Sequence, residues 1–158
     1  DDCRDLPLSE PFDHLVKMHR DIMNADMAKN LAHYYERGKD KMTDTICGMI
    51  EDGHKVSAVD YNTAVDGQDL LNSGLDACFD HYDIIITPAT TGEAPAGLEA
   101  TGNPIFNTLA TYCGVPSITL PLMEGPNGLP LGVQVIVPRN DDARLLRNAN
   151  WLIQRVAG

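Results

Sequence analysis

The chain has 158 residues, 43% hydrophobic and 22% charged, which suits a globular domain with a sizeable core and excludes disorder along its whole length. Its formal net charge of −11, from 23 acidic and 12 basic residues, argues against a groove for nucleic acid or a patch for an anionic membrane, both of which need clustered Lys and Arg. No apolar run approaches the ~20 residues of a membrane helix and no signal peptide is visible, so the cytoplasm is the expected compartment.

The chain opens on Asp1-Asp2-Cys3 without an initiator Met, and is expected to be part of something longer. Residues 1–82 read as a helical segment that packs on a sheet. Ser9 and Pro11 make a helix start, and Phe12, Leu15, His19, Ile22, Met23, Met27, Leu31, Tyr34 and Tyr35 recur at helical spacing up to Gly38. Thr43 can cap a shorter helix closed by Gly53. Ser57 and Asp60 resemble a capping box before a third, amphipathic helix through Ala64, Leu71, Leu75 and Phe79.

The character changes at Asp83, and residues 83–158 read as an α/β segment in the order strand, helix, strand, strand, helix. Ile84–Thr87 is an apolar run expected of a strand buried on both faces. After the Thr-, Ala-, Gly- and Pro-rich loop of residues 88–102, Asn103 can cap a helix with Pro104 at its first position, ended by Gly114 in a left-handed conformation. Strands at Ser117–Pro121 and Gly132–Val137 follow, with Gly132 expected at a close approach. Asn140 is expected to cap the last helix, whose apolar face is Leu145, Leu146, Ala149, Leu152, Ile153 and Val156. The strand–helix–strand part favours a parallel crossover and the later link an antiparallel pair, hence a mixed β-sheet with flanking helices in one α/β domain fragment.

The residues by themselves name no reaction. There is no Gly-x-Ser-x-Gly elbow and no Gly-Gly-Ser-Ser-Gly run. Ser9 and Ser57 read as caps, Ser73 as a helix position and Ser117 as a strand start, none with a base at motif spacing. Cys113 stands at a helix C-terminus, where the dipole disfavours a thiolate. Cys47, Cys78 and Cys113 lie on apolar helix faces and, with Cys3, form no Cys-x-x-Cys pair, so buried free thiols are expected rather than staples. The five histidines lack zinc spacing, the aspartates lack calcium-loop spacing, and Gly92, Gly97 and Gly102 make no dinucleotide fingerprint. No metal and no cofactor are expected.

The ordered set of motifs resembles the amidase signature family. Asp83-Ile-Ile-Ile-Thr-Pro88 is similar to an "Asp, apolar strand, Thr-Pro" element of those enzymes. Thr101-Gly102 and Phe106-Asn107 resemble the next. Gly114-Val-Pro116, Pro121, Gly128-Leu-Pro130, Gly132-Val-Gln134 and Asp142-Ala-Arg-Leu-Leu146 resemble the terminal ones, in order. The resemblance implies an α/β fold, the C-terminal part of that fold, and descent from hydrolases of amide carbon–nitrogen bonds. Such enzymes use a Ser, a second Ser beside a cis peptide bond and a Lys, all in the N-terminal part. Lys17, Lys29, Lys39, Lys41 and Lys55 sit in no matching motif, so the resemblance implies no catalytic residue here and an inactive isolated chain.

The same resemblance implies that Thr90, Thr91, Pro104, Ile105 and Thr108 approach the acyl pocket; loop turns and helix packing are the competing account of these residues. Implied partners are the N-terminal catalytic part of the same enzyme and a small amide substrate; the charge balance and the absence of a long apolar run argue for no nucleic acid and no membrane, and the open sheet edges leave room for a homo-oligomer. The substrate is open among fatty, aromatic, peptide and small aliphatic amides, and transamidating enzymes acting on aminoacyl-tRNA belong to the same family. With three visible strands, the sheet is expected to keep an uncovered apolar surface, or to hide it by self-association or under the first long helix. The alternative function is a free-standing, non-catalytic α/β module that binds a partner or small ligand.

Overall fold

The computed structural model describes residues 3–156. They form two compact units, one up to Leu71 and one from Asn72, dividing inside a helix rather than at the change of composition near Asp83.

In the first unit a 3-10 turn at Glu10–His14 leads into α1 (Leu15–Gly38). Pro11 occupies the turn's start, where a missing N–H costs no helical bond; Ser9 stands at the cap position but its side chain makes no cap bond. A 3-10 turn at Lys39–Lys41 follows Gly38, and α2 (Asp44–Gly53) opens with Thr43 Oγ1 accepting from the Ile46 amide at 3.4 Å. α2 returns along α1 so closely that a Cβ at Gly53 would collide with the carbonyl of Asn24. Phe12, Leu15, Ala28, Cys47 and Ile50 are buried here. Tyr35 and Lys39 both donate to Glu51 Oε1, at 2.6 and 2.7 Å, and hold its carboxyl below its usual range, the Lys39 bond contributing most.

α3 (Ala58–Phe79) carries the chain from the first unit into the second. Its start is fixed by Ser57, whose Oγ accepts from the Asp60 amide at 3.0 Å and donates to Asp60 Oδ2 at 2.6 Å. The acid thus meets the cap hydroxyl, a variation on the expected capping box. Ala64, Leu71, Leu75 and Phe79 are buried, four of the positions that the helical period selects.

The second unit holds β1 (Ile85–Pro88), a 3-10 turn at Ile105–Asn107 leading into α4 (Thr108–Cys113), β2 (Ser117–Glu124), β3 (Pro130–Ile136) and α5 (Asp142–Val156). The sheet order is β1-β3-β2. β1 and β2 run the same way, as a crossover requires, but β3 lies between them and both ladders are antiparallel. The α/β class holds; the mixed sheet is corrected to an antiparallel one within this chain. The reason is the short turn after Glu124, which folds β3 straight back onto β2 and leaves its other edge for β1. The β2–β3 register slips between Leu120 and Met123, beside Pro121, which has no N–H for the ladder.

One sheet face packs against α5 through Leu120, Val135, Val137, Leu145 and Ala149. Ile86 shares that face by register with Val135 yet is 44% exposed. The expectation of a first strand buried on both faces therefore fails at Ile86, which lies on an edge strand. Leu146, at 61%, Ile153 and Val156 also stay exposed, so only part of the α5 apolar face is used. α5 is capped by Asp141, whose Oδ1 accepts from the Arg144 amide at 3.1 Å. Asn140, expected there, instead takes φ 64°, a left-handed turn that Asn tolerates better than most residues.

Candidate functional site

β1 gives out at Pro88, and one further backbone bond, Ala89 N–H to Gly132 O at 2.9 Å, holds the start of the loop that follows. Gly102, at φ 93°, comes near Thr90 and Pro95: a Cβ added to it would lie 3.8 Å from Thr90 Oγ1 and 3.8 Å from Pro95 Cδ. Asn103 Oδ1 then accepts from the Ile105 amide at 3.0 Å and starts the turn into α4. The two ends of the loop, at Thr90 and Gly102, thus lie near one another. Leu98, beyond Gly97 at φ 87°, is 99% exposed at the loop's far side.

Of the five residues singled out from sequence, Thr91, Pro104 and Ile105 are exposed, Thr90 is half-buried and Thr108 is 8% exposed within α4.

A polar network beside them is one that sequence reasoning misses. Gln134, in the central strand and 3% exposed, accepts at Oε1 from Thr87 Oγ1 at 3.1 Å. Its Nε2 donates to Asn107 Oδ1 at 3.0 Å and, more weakly, to Ser117 Oγ at 3.5 Å. Thr87, Gln134 and Thr119 lie opposite one another across the three strands, so these polar side chains share the face away from the Val135 cluster. Burying an amide this deeply is tolerable because both its ends are paired. A Gln inside an otherwise apolar strand run is the available signal.

A second such group is Glu93. Its Oε1 accepts from the amides of Asn127 and Leu129 at 2.9 and 3.1 Å, and its Oε2 from Asn127 Nδ2. These bonds, the Asn127 side chain's foremost, hold the Glu93 carboxyl below its usual range.

Burial pushes the Cys113 thiol up to about 11 against the opposing pull of Arg139, which is the reverse of what a nucleophilic thiolate requires. Arg139 itself donates from Nη2 to the Cys113 carbonyl at 2.6 Å. Gly114 follows at φ 63° and ψ 37°, the left-handed helix end expected from sequence. Gly132 is a close approach as well: a Cβ there would collide with the Thr119 methyl. All four cysteines are free, with Cys47 and Cys113 buried, Cys78 half-buried and Cys3 exposed. Among the described residues no group of three or more His, Cys, Asp or Glu side chains could hold a metal ion. No described helix is long and apolar enough to cross a membrane.

Residues 8–146 match the family model for Amidase. The chain belongs to the amidase family. Over 97 residues it is 37% identical to the A-subunit of glutamyl-tRNA(Gln) amidotransferase from Rhodopirellula baltica, covering 57% of this chain and 19% of that protein. It is 35% identical over 96 residues to the corresponding protein of Salinibacter ruber, covering 55% and 19%. The matched region spans about a fifth of the length of these curated relatives. Among solved structures, an amidase superposes with a TM-score of 0.77 at 19% identity, covering 94% of this chain and 37% of the other. A 6-aminohexanoate cyclic dimer hydrolase superposes with a TM-score of 0.72 at 20% identity, covering 88% and 35%. These superpositions show that the chain has the fold of part of those structures.

Proposed function

We propose that the chain is the C-terminal part of an enzyme that hydrolyses amide carbon–nitrogen bonds, and that its catalytic Ser, second Ser and Lys lie outside these residues. The family match over residues 8–146 carries this reading. Its partners are then the N-terminal catalytic part of the same enzyme and a small amide. The exposed Ile86, Leu146 and Ile153 support a surface that the rest of the enzyme covers. Self-association of the separate chain through that surface is the corresponding expectation. Buried free thiols suit a reducing compartment, and we assign the enzyme to the cytoplasm on that ground.

Within this reading Thr90, Thr91, Pro104 and Ile105 line one side of the acyl pocket, with Thr108 backing them. The nearness of Gly102 to Thr90 supports it, since a Cβ added at Gly102 would reach van der Waals distance of Thr90 Oγ1 just before Pro104.

The experiment compares ammonia release from benzamide and hexanamide by this chain alone and by the protein read from its complete coding sequence. Loss of a serine-hydrolase triad removes about 10⁶-fold in rate, so the chain alone is expected to be inactive and the complete protein active. Turnover by the chain alone, abolished by changing one of its own side chains, overturns the reading. An upstream sequence without a Lys motif and a Gly/Ser-rich loop favours the binding module instead. Thr90→Val and Thr91→Val are expected to raise KM in the complete enzyme. Unchanged KM in both removes them from the pocket.

A further inference from the structure

The tip of the β2–β3 hairpin is built as a receptor for a carboxylate, and Glu93 of the loop after β1 occupies it. Residues 125–129 form a tight turn closed by Gly125 N–H to Leu129 O at 2.9 Å and Gly128 N–H to Gly125 O at 3.0 Å, with Gly128 at φ 78°. This geometry turns the amides of Asn127 and Leu129 onto one oxygen of Glu93, while the Asn127 side chain takes the other. Gly125 completes the seat, because a Cβ there would collide with the Glu93 carboxyl group. Successive amides converging on one acid make an anion-binding concavity of backbone origin.

Glu93 lies three residues after Thr90 and two after Thr91, in a loop otherwise held at its start by the Ala89–Gly132 bond and followed by the Asn103–Ile105 turn. We propose that Glu93 is a positioning residue: its seating in the hairpin tip fixes the 89–102 loop, and with it the placement of Thr90 and Thr91. The consequence for substrate rests on the pocket reading above. The positional coupling does not. Mobility of the loop is then set by the hairpin, and changes at residues 125–129 act at Thr90 without touching it.

The test uses the complete protein with Glu93→Ala, Glu93→Gln and Gly125→Ala. Gln keeps an acceptor for the two amides but loses the charge and the match to Asn127 Nδ2. Ala at residue 125 blocks the seat from the hairpin side and leaves the loop sequence intact. Hydrogen–deuterium exchange is expected to rise several-fold over both 89–102 and 125–130 in the two alanine variants and less in Glu93→Gln, with β1 and β3 interiors as in the parent protein. Exchange that rises only over 125–130, or in neither segment, overturns the inference. The second readout is hexanamide hydrolysis, where Glu93→Ala is expected to raise KM several-fold with kcat kept. If Thr90→Val alters KM and Glu93→Ala does not, the positioning role is lost. If Thr90→Val leaves KM unchanged while both segments exchange faster in Glu93→Ala, the pocket reading fails and the coupling stands.

Discussion

Gln134, in the central strand, donates from Nε2 to Asn107 Oδ1 at 3.0 Å, and this single bond joins the middle of the sheet to the turn that starts α4. Because Gln134 also accepts from Thr87, one buried side chain ties β1, β3 and the helix start together. Gln134→Leu keeps the volume but strands the Thr87 hydroxyl and the Asn107 amide oxygen. The expected loss is about 1 kcal/mol, at the low end of the cost of an unsatisfied polar group, because Thr87 and Asn107 are only half-buried. In a double-mutant cycle with Thr87→Val by chemical denaturation, the two losses are expected to be non-additive. Full additivity would show that the two side chains do not interact in solution.

Gly114 ends α4 in the left-handed region, and a Cβ there would meet only Arg139 Nη2 at 3.8 Å. Space is therefore not the constraint; conformation is. Gly114→Val is expected to cost about 1–2 kcal/mol or somewhat more, and Gly114→Asn distinctly less, since Asn visits this region routinely. Equal costs for the two would contradict the assignment. Denaturant midpoints at constant m-value provide the measurement.

At Gly132 the constraint is steric. Its missing Cβ leaves room for the Thr119 methyl on the paired strand, with Ala89 Cβ on the other side. Gly132→Ala is expected to destabilise by about 1–3 kcal/mol through overpacking. Thr119→Ser, which deletes the methyl, is expected to return part of that loss. A suppressor effect of zero at Thr119 would place the strain elsewhere.

The four thiols are expected to separate by environment. Cys3 is exposed and reacts with maleimide at once in the native protein. Cys113 is fully buried and its thiol is pushed up to about 11, so it stays protonated and unlabelled near neutral pH until the protein unfolds. Peptide mapping after a short native pulse distinguishes them. Rapid native labelling of Cys113 would mean that α4 opens locally.

The helices and strands are legible in the sequence because their signals are local. Thr43, Ser57 and Gly114 act on backbone groups within four residues of themselves, and each does so in the structure. The order β1-β3-β2 is not legible, since an apolar strand run does not say which edge it will use. The cap of α5 falls one residue from its expected place, because Asn140 and Asp141 are both good cap types and only φ decides between them. At the candidate site, motif order points to Thr90 and Pro104. It cannot reveal Glu93, whose partners Asn127 and Leu129 are 34 and 36 residues away.

The two compact units part at Leu71 and Asn72, in the middle of a continuous helix. A boundary inside a hydrogen-bonded rod has a practical meaning for anyone wishing to cut the protein apart. Truncation at Asn72 would leave two raw helix ends and expose the buried Leu71 and Leu75 at fresh termini. A piece beginning at Val56 keeps the Ser57–Asp60 start intact and takes the whole of α3 with the sheet. A cut in the link after Gly53 would still break the bond from Tyr61 Oη to Asp26 Oδ1 at 3.1 Å and strip the first half of α3 from the unit it packs in, so both seams sacrifice part of a core.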